Sequence, residues 1–377
     1  MTETKRKLAS IQRIIDIQPI EGSDFLEVAT VLGWHCVVLK SDHYEVGSLC
    51  VYFEVDSLLP LKPEFAFLEK GGGIKKMLID GKEVQGYRLK TIKLRGQISQ
   101  GLVMPLSILP EITYIETDDE TGRNYEAKDE RIEGEDVTKT LGVHKYEPPM
   151  SADLAGKARG HFPGFIPKTD EPRLQSNPFL LERYKNEPFV VTEKIDGSSV
   201  TFFIKNGEFH VCGRTIDWLD DGKNSMWKLA KEMDIEAKLR QLNDKAGKEK
   251  YALQGEIYGE GIQKNPLKIK GQKISFYNLY DFVKGRYADN DDLVVLTNEV
   301  KLPIVPNVYD PSDNDVSWYV RPTVDEMVEL SKIKSVINPD VWLEGLVWRP
   351  IHGEMQDPDL GRLSFKVINP EYLLKHE

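Results

Sequence analysis

The chain has 377 residues, 40% of them hydrophobic and 29% charged, with a net charge of −11. That length suits two domains of about 100 to 200 residues each. No apolar run approaches the roughly 18 residues of a membrane-spanning helix, which excludes such an anchor, and the acidic balance argues against coating nucleic acid by bulk electrostatics while leaving room for a local basic groove. Cys36, Cys50 and Cys212 are too few and scattered for a disulfide framework or zinc cluster. They read as buried apolar residues in the cytoplasm or another reducing intracellular compartment. The polar start, Met1 to Lys7, leads into no apolar segment, so no secretory signal is expected.

From Lys7 to Leu59 the pattern is β-rich. Ile11, Ile14, Ile15 and Ile17 form a first apolar run, Glu21-Gly22-Ser23-Asp24 signals a turn, and Leu26 to Val31 alternates as a strand does. Cys36 to Leu39 and Leu49 to Val55 add strands, the second after the turn at Glu45-Val46-Gly47. Short strands at this spacing favour a small barrel or sandwich. A glycine-rich basic stretch, Lys70 to Lys76, is followed by Tyr87 to Gly96 and Ile98 to Pro105. Arg88, Lys90, Lys93 and Arg95 do not share one face, and either contact phosphates or keep an edge strand soluble. The acidic runs Glu116 to Glu120 and Lys128 to Asp136 read as solvated loops.

Prolines 148, 149, 163, 167, 172 and 178 then break regular structure. Residues 146–177 read as a linker and lead-in whose apolar centre, Phe162 to Arg173, docks on the following domain. On the residues alone, Arg173 is a surface ion-pair partner. Next comes Glu193-Lys194-Ile195-Asp196-Gly197-Ser198, between the apolar runs Phe189-Val190-Val191 and Val200 to Ile204. Lys194 thus lies in a short connection between strands, where a turn made possible by the backbone freedom of Gly197 would hold its amine near Asp196. The competing reading is a hairpin turn with an exposed lysine. Trp218 to Gln241 carries Met226, Leu229, Met233 and Leu239 at helical spacing, a core stripe. Leu253 to Gly259 and Ile274 to Asp281 read as strands, and Val324 to Ile337 as a helix capped by Thr323 with Glu326 three residues on. Two last strands, Leu343 to Arg349 and Leu363 to Ile368, flank a polar loop.

Four pieces stand in order: Lys194-Ile195-Asp196-Gly197, Gly255-Glu256-Ile257-Tyr258-Gly259, Glu344-Gly345-Leu346-Val347 and Ser364-Phe365-Lys366, with an aromatic strand between the second and third. Together they resemble the covalent nucleotidyltransferase superfamily of ligases and capping enzymes. Ser198-Ser199 stands where DNA ligases and capping enzymes usually carry an arginine two places after the glycine. With Gly259 to Asn265 and Pro167 to Arg173, it narrows the resemblance to ATP-dependent RNA ligases with an N-terminal OB domain. Arg95 to Gly101 is also similar to tRNA-binding OB modules. The fold implied is α+β, with an N-terminal OB-type β-barrel over 1–145, the Pro-rich lead-in over 146–177, and a nucleotidyltransferase domain over 178–377 built on antiparallel sheets with flanking helices.

Attack on the α-phosphate of ATP needs a neutral amine, whereas a free lysine has a pKa of about 10.4, so the site is expected to depress Lys194. A divalent metal, neighbouring cations and desolvation all act in that direction. The resemblance implies Lys194 as the nucleophile that becomes adenylylated. It implies Asp196, Glu256 and Glu344 as ligands of magnesium or manganese, directly or through waters, and Lys366 and Arg173 as cations that neutralise phosphate charge. Phe276 would stack on adenine, although an aromatic on a central strand is ordinarily core. Glu193 would accept from the adenine amine, and Arg214 with Glu256 would hold the ribose or incoming strand, Glu344 and Lys366 completing the nucleotide site. One departure stands out. Related ligases often place two lysines one residue apart in the last motif, whereas Ser364 occupies the first place here, leaving Lys366 alone or Arg362 as a substitute. The implied partners are ATP and RNA with 5′-phosphate and 3′-OH ends, in single strands or a nicked duplex, acted on by a monomer. A capping-type or DNA-sealing nucleotidyltransferase and a catalytically silent RNA-binding protein are the alternatives.

Overall fold

The apolar run around Ile11 forms one 11-residue strand, Ala9–Pro19, which serves two neighbours. Its first half pairs with Leu49–Phe53 and its second with Leu26–Val31. The register slips between Ile14 and Asp16, and such an irregularity lets one strand bend from one part of a barrel to the next. Trp34–Leu39 and Leu102–Met104 complete a five-stranded antiparallel sheet, and a second sheet runs in the order His144–Lys145, Ser57–Pro60, Lys82–Arg88, Ile74–Ile79. Alternation along these strands buries Ile11, Val51, Phe53 and Leu59 in one cluster and Ile14, Ala29, Trp34 and Tyr52 in another. This is the expected OB-type barrel. It makes up the first of two units into which the chain divides, Lys5–Met150 and Ser151–His376. The computed structural model describes residues 7–71, 73–79, 82–110, 113–117, 124–128, 131–146, 156–308 and 322–376. Parts of the glycine-rich stretch, the two acidic runs and the lead-in therefore lie outside the described residues.

The barrel resolves one open reading and qualifies another. Arg88 is engaged internally, donating to Asp56 at 2.7 Å and lying over the Tyr146 ring, whereas Lys93 and Arg95 are exposed on a hairpin. The described end of the second acidic run is not a free loop: the amide of Gly134 donates to Ile11, the amide of Ile11 donates to Glu135, and Arg13 pairs with Glu133.

The second unit holds a seven-stranded antiparallel sheet, ordered Ala158–His161, Ile216–Trp218, Glu208–Cys212, Ser198–Lys205, Tyr251–Gly259, Gln272–Asp281, Arg286–Tyr287. The first of these strands comes from the proline-rich lead-in. One face of the sheet packs Val200, Phe202, Leu253 and Ile257 against helices Ser225–Glu232 and Ile235–Lys245. These two helices replace the single helical stretch expected from Trp218 to Gln241, because Asp234 adopts a left-handed conformation, φ 57°, between them. A three-stranded sheet, Phe189–Lys194, Gly345–Pro350 and Phe365–Ile368, has its own core of Phe189, Val191, Leu346, Trp348 and Phe365. Residues 303–308 link the two sheets: the Phe276 amide donates to Pro303, the Glu193 amide to Pro306, and the Val308 amide to Val191. The helix expected over Val324 to Ile337 has its Thr323–Glu326 capping box but ends at Ser331. The residues beyond it turn toward Glu193.

Candidate active site

Lys194 is the last residue of Phe189–Lys194, and Ser198 the first of Ser198–Lys205, a strand of the other sheet. The connection is therefore a crossing between sheets and not a hairpin turn, which places Lys194 where the sheets meet. Gly197 is required there for a reason different from the one expected. Its φ is not in the left-handed region; a Cβ at this position would stand 2.1 Å from the carbonyl oxygen of Ile257 and 2.9 Å from Cγ of Glu256. Gly255 and Gly345 are alike, with a Cβ 2.6 Å from Ser275 O and 2.3 Å from Val367 O. Each motif glycine lets two backbones approach beside a carboxylate-bearing position.

The Lys194 amine donates to Glu344 Oε1 at 2.5 Å. Burial pulls the Lys194 pKa down, but Glu344 and then Glu256 and Asp196 outweigh it and hold the amine above its ordinary value. The depression that attack requires is therefore not supplied by the protein side chains alone. The carboxylates bear the complementary strain: burial pushes Glu256 up to about 8, with Lys194 opposing and Glu344 and Asp196 adding. Burial and Glu344 push Asp196 up to about 6, against a hydrogen bond from Tyr372 and the pull of Lys194. Among the described residues, no three His, Cys, Asp or Glu side chains form a ready-made metal cage. Glu344 Oε2 is nevertheless buried without a hydrogen-bond partner.

Lys366, on Phe365–Ile368, is pulled down to about 7 by burial and by the charges of Lys194 and Arg173. Arg173 is set beside it by a parallel bridge to Lys366, whose amide donates to Pro172 O at 2.9 Å. Arg214 pairs with Asp170 at 2.9 Å and is half exposed. Ser364, in place of a lysine, donates to the buried Glu171, which also accepts from Arg349 at 3.0 Å. Arg362 is occupied by the same carboxylate at 3.6 Å and by Asn278 at 2.8 Å.

Glu193 is 2% exposed; its Oε2 accepts from the Val336 amide at 2.8 Å, while Oε1 is buried without a partner. Phe276 requires correction: its ring is 0% exposed and sits in the helix-side core, tilted against Phe202 at 6.1 Å. Tyr277, the residue skipped where the register shifts between Gln254 and Gly255, lies instead beside Arg349 and Glu256.

With this geometry in place, the comparisons decide the family. An OB-fold domain model matches residues 8–106 and the RNA ligase model matches residues 187–368. Naegleria gruberi RNA ligase with PPi is 33% identical, with 99% of each chain covered and a TM-score of 0.79. The chain belongs to the RNA ligase family. Two mutants of the same Naegleria ligase, one with ATP and Mn and one with AMP and Mn, are each 32% identical over 98% of this chain and 99% of theirs, at TM-score 0.79. No curated protein matched in a separate sequence comparison.

Some residues of this RNA ligase's centre were not singled out by sequence reasoning. Tyr372, in Pro370–His376, donates its hydroxyl to Asp196. Asn369 donates its amide to the Glu344 carbonyl at 2.9 Å, so one short stretch touches two of the three carboxylate positions. The only local signal was Asn369-Pro370, a helix-start pair just after the Lys366 strand. Glu171 lies inside the Pro167 to Arg173 motif, where nothing in the sequence signals its role.

Proposed function

We propose that this ATP-dependent RNA ligase joins RNA 3′-OH and 5′-phosphate ends with Lys194 as its covalent centre. The observation that carries the reading is the convergence on Lys194 of Glu344, Glu256 and Asp196, with Lys366 on the same small sheet and Arg173 beside it. Lys194 Nζ attacks the α-phosphorus of ATP, the bond to the β-phosphate oxygen breaks, and pyrophosphate leaves. AMP then passes to an oxygen of the RNA 5′-phosphate, which frees the amine, and the RNA 3′-hydroxyl displaces AMP to form the phosphodiester. Lys366 and Arg173 present positive charge to the phosphates. Glu193 Oε1 is an acceptor awaiting the adenine amine, while Arg214 and Glu256 serve the ribose or the incoming strand. Among the solved Naegleria relatives are mutants at an arginine, a lysine and an aspartate with the same separations as Arg173, Lys194 and Asp196.

The donor set suits magnesium or manganese. Three hard-oxygen carboxylates outnumber the one amine among them, and Glu344 Oε2 has no protein partner. Asp196, Glu256 and Glu344 would hold such an ion, directly or through waters. Its chemistry there is to neutralise phosphate charge and to favour the neutral amine. Lys194 for its part must give up the proton it donates to Glu344 before its nitrogen can attack.

Incubation with radiolabelled ATP and magnesium or manganese is expected to give an acid-stable protein–AMP adduct that Lys194→Ala abolishes. Absence of that adduct would sink the reading, and labelling by GTP alone would point to capping chemistry. A second expectation concerns protons. With its pKa near 7, Lys366 is mostly neutral at pH 8, and bound phosphate favours its charged form, so ATP binding at pH 8 takes up a proton there. The uptake fades as pH falls through 7, where Lys366 is already charged. Calorimetry in buffers of different ionisation heat, comparing wild type with Lys366→Met, reads this difference; equal uptake in both proteins would contradict it.

A further inference from the structure

Residues 166–173 lie across both sheets of the catalytic unit. Ile166 is buried against Phe203 and Ala252 of the large sheet, and the Pro167 carbonyl accepts from Gln254 Nε2 at 2.9 Å. At the other end the Pro172 carbonyl accepts from the amide of Lys366 in the small sheet. Between these anchors Glu171 turns inward, and its side chain is 5% exposed. Burial alone would push this carboxyl up, yet Arg362, Arg349 and Ser364 together hold it below the usual range, so it is a charged group with a full set of donors. Arg349 comes from the Glu344 strand and Ser364 adjoins the Lys366 strand. Arg173, two residues on, is thereby fixed against Lys366. The same end of the segment is held by the Lys366 amide on the Pro172 carbonyl and by the Ser176 amide and Asn177 Nδ2 on the Arg173 carbonyl.

We propose that Glu171 is the positioning residue of the phosphate site: its clamp on Arg349, Arg362 and Ser364 locks residues 166–173 across the two sheets and so sets Arg173 beside Lys366. On this account Ser364 serves the clamp and not the phosphate. The proposal rests on the reading of Arg173 and Lys366 as phosphate-binding cations.

The test compares Glu171→Gln, Ser364→Ala, Arg173→Ala and the Glu171→Gln/Arg173→Ala double variant, in the full chain, for the ATP dependence of protein–AMP formation. Loss of a charge-assisted clamp is expected to raise the KM for ATP about tenfold in Glu171→Gln, with a smaller change in kcat. Ser364→Ala leaves the carboxylate between two arginines and is expected to raise it about threefold; this milder variant covers the case in which Glu171→Gln does not fold. The double variant is expected to be no worse than Arg173→Ala, because both changes act through one group. Hydrogen exchange supplies a readout independent of ATP: the Lys366 amide, bonded to Pro172, exchanges faster in Glu171→Gln. The proposal is overturned if Glu171→Gln and Ser364→Ala keep a KM within about twofold of wild type while Arg173→Ala is impaired, or if the double defect is the product of the single ones. An Arg173→Ala enzyme with normal KM would instead remove the phosphate role of Arg173, and the clamp's purpose with it.

Discussion

Gly197→Ala is expected to cost about 3 kcal/mol of stability, the upper end for forcing an extra methyl into a packed interior, and to slow protein–AMP formation by about a hundredfold or more, the penalty of moving a reacting group by about 1 Å. The reason is a contact with backbone, which cannot swing aside. The new Cβ would sit 2.1 Å from the Ile257 carbonyl oxygen, and Ser198 pairs with Ile257 in the adjoining register, so relief requires the Lys194–Ser198 crossing to lift from the Glu256 strand. That motion carries Lys194 and Asp196 together away from Glu256. Gly164→Ala is the matched control, since its Cβ meets nothing within 4 Å. Thermal melts and single-turnover adenylylation measure both effects. A Gly197→Ala enzyme as active and stable as Gly164→Ala would show that the close approach is not needed.

Glu344→Gln is expected to separate two properties that ordinarily move together, amine reactivity and catalysis. Wild-type Lys194 is held above its ordinary pKa chiefly because Glu344 offsets the burial that pulls it down. Neutralising Glu344 leaves burial less opposed, so Lys194 loses its proton at a lower pH than in wild type. An amine-selective acylating reagent is therefore expected to modify Lys194 faster in Glu344→Gln than in wild type at pH 8. Adenylylation by ATP is nevertheless expected to fall by about a hundredfold or more, because one of the carboxylates that would hold the divalent ion has been lost. Slower acylation of Lys194 in Glu344→Gln, as read by mass spectrometry of the Lys194 peptide, would refute the ion-pair account.

Much of this centre was legible because chemistry restricts residue type. A nucleophilic amine, hard-oxygen carboxylates and phosphate-binding cations leave a recognisable order along the chain, and the glycines beside them mark backbone contacts. What escaped was non-local. Whether Phe276 or Tyr277 faces the cleft depends on register along Gln272–Asp281, which shifts opposite Gln254 and Gly255; a period of two assigns residues to faces without saying which face is buried. The helix begun by Thr323 ends at Ser331, and beyond it the amide of Val336 goes to Glu193, 143 residues away in sequence. The pKa of Lys194 could not be foreseen either, since its sign follows from a partner at a separation of 150 residues. The departure at Ser364 was visible, but its meaning required Glu171, 193 residues earlier.

Those separations also order events during folding. The strand ending in Lys194 has Gly345–Pro350 as its partner in the small sheet, and that strand in turn needs Phe365–Ile368. Closing a loop of this length carries an entropic cost that must be met before any pairing rewards it, and topologies of high contact order form slowly. The large sheet, by contrast, contains hairpins such as Ser198–Lys205 with Glu208–Cys212, whose ends are near neighbours. Lys194 therefore meets Glu344 and Lys366 only through pairings between distant stretches of the chain, so the charge arrangement around the amine exists only where the small sheet is complete.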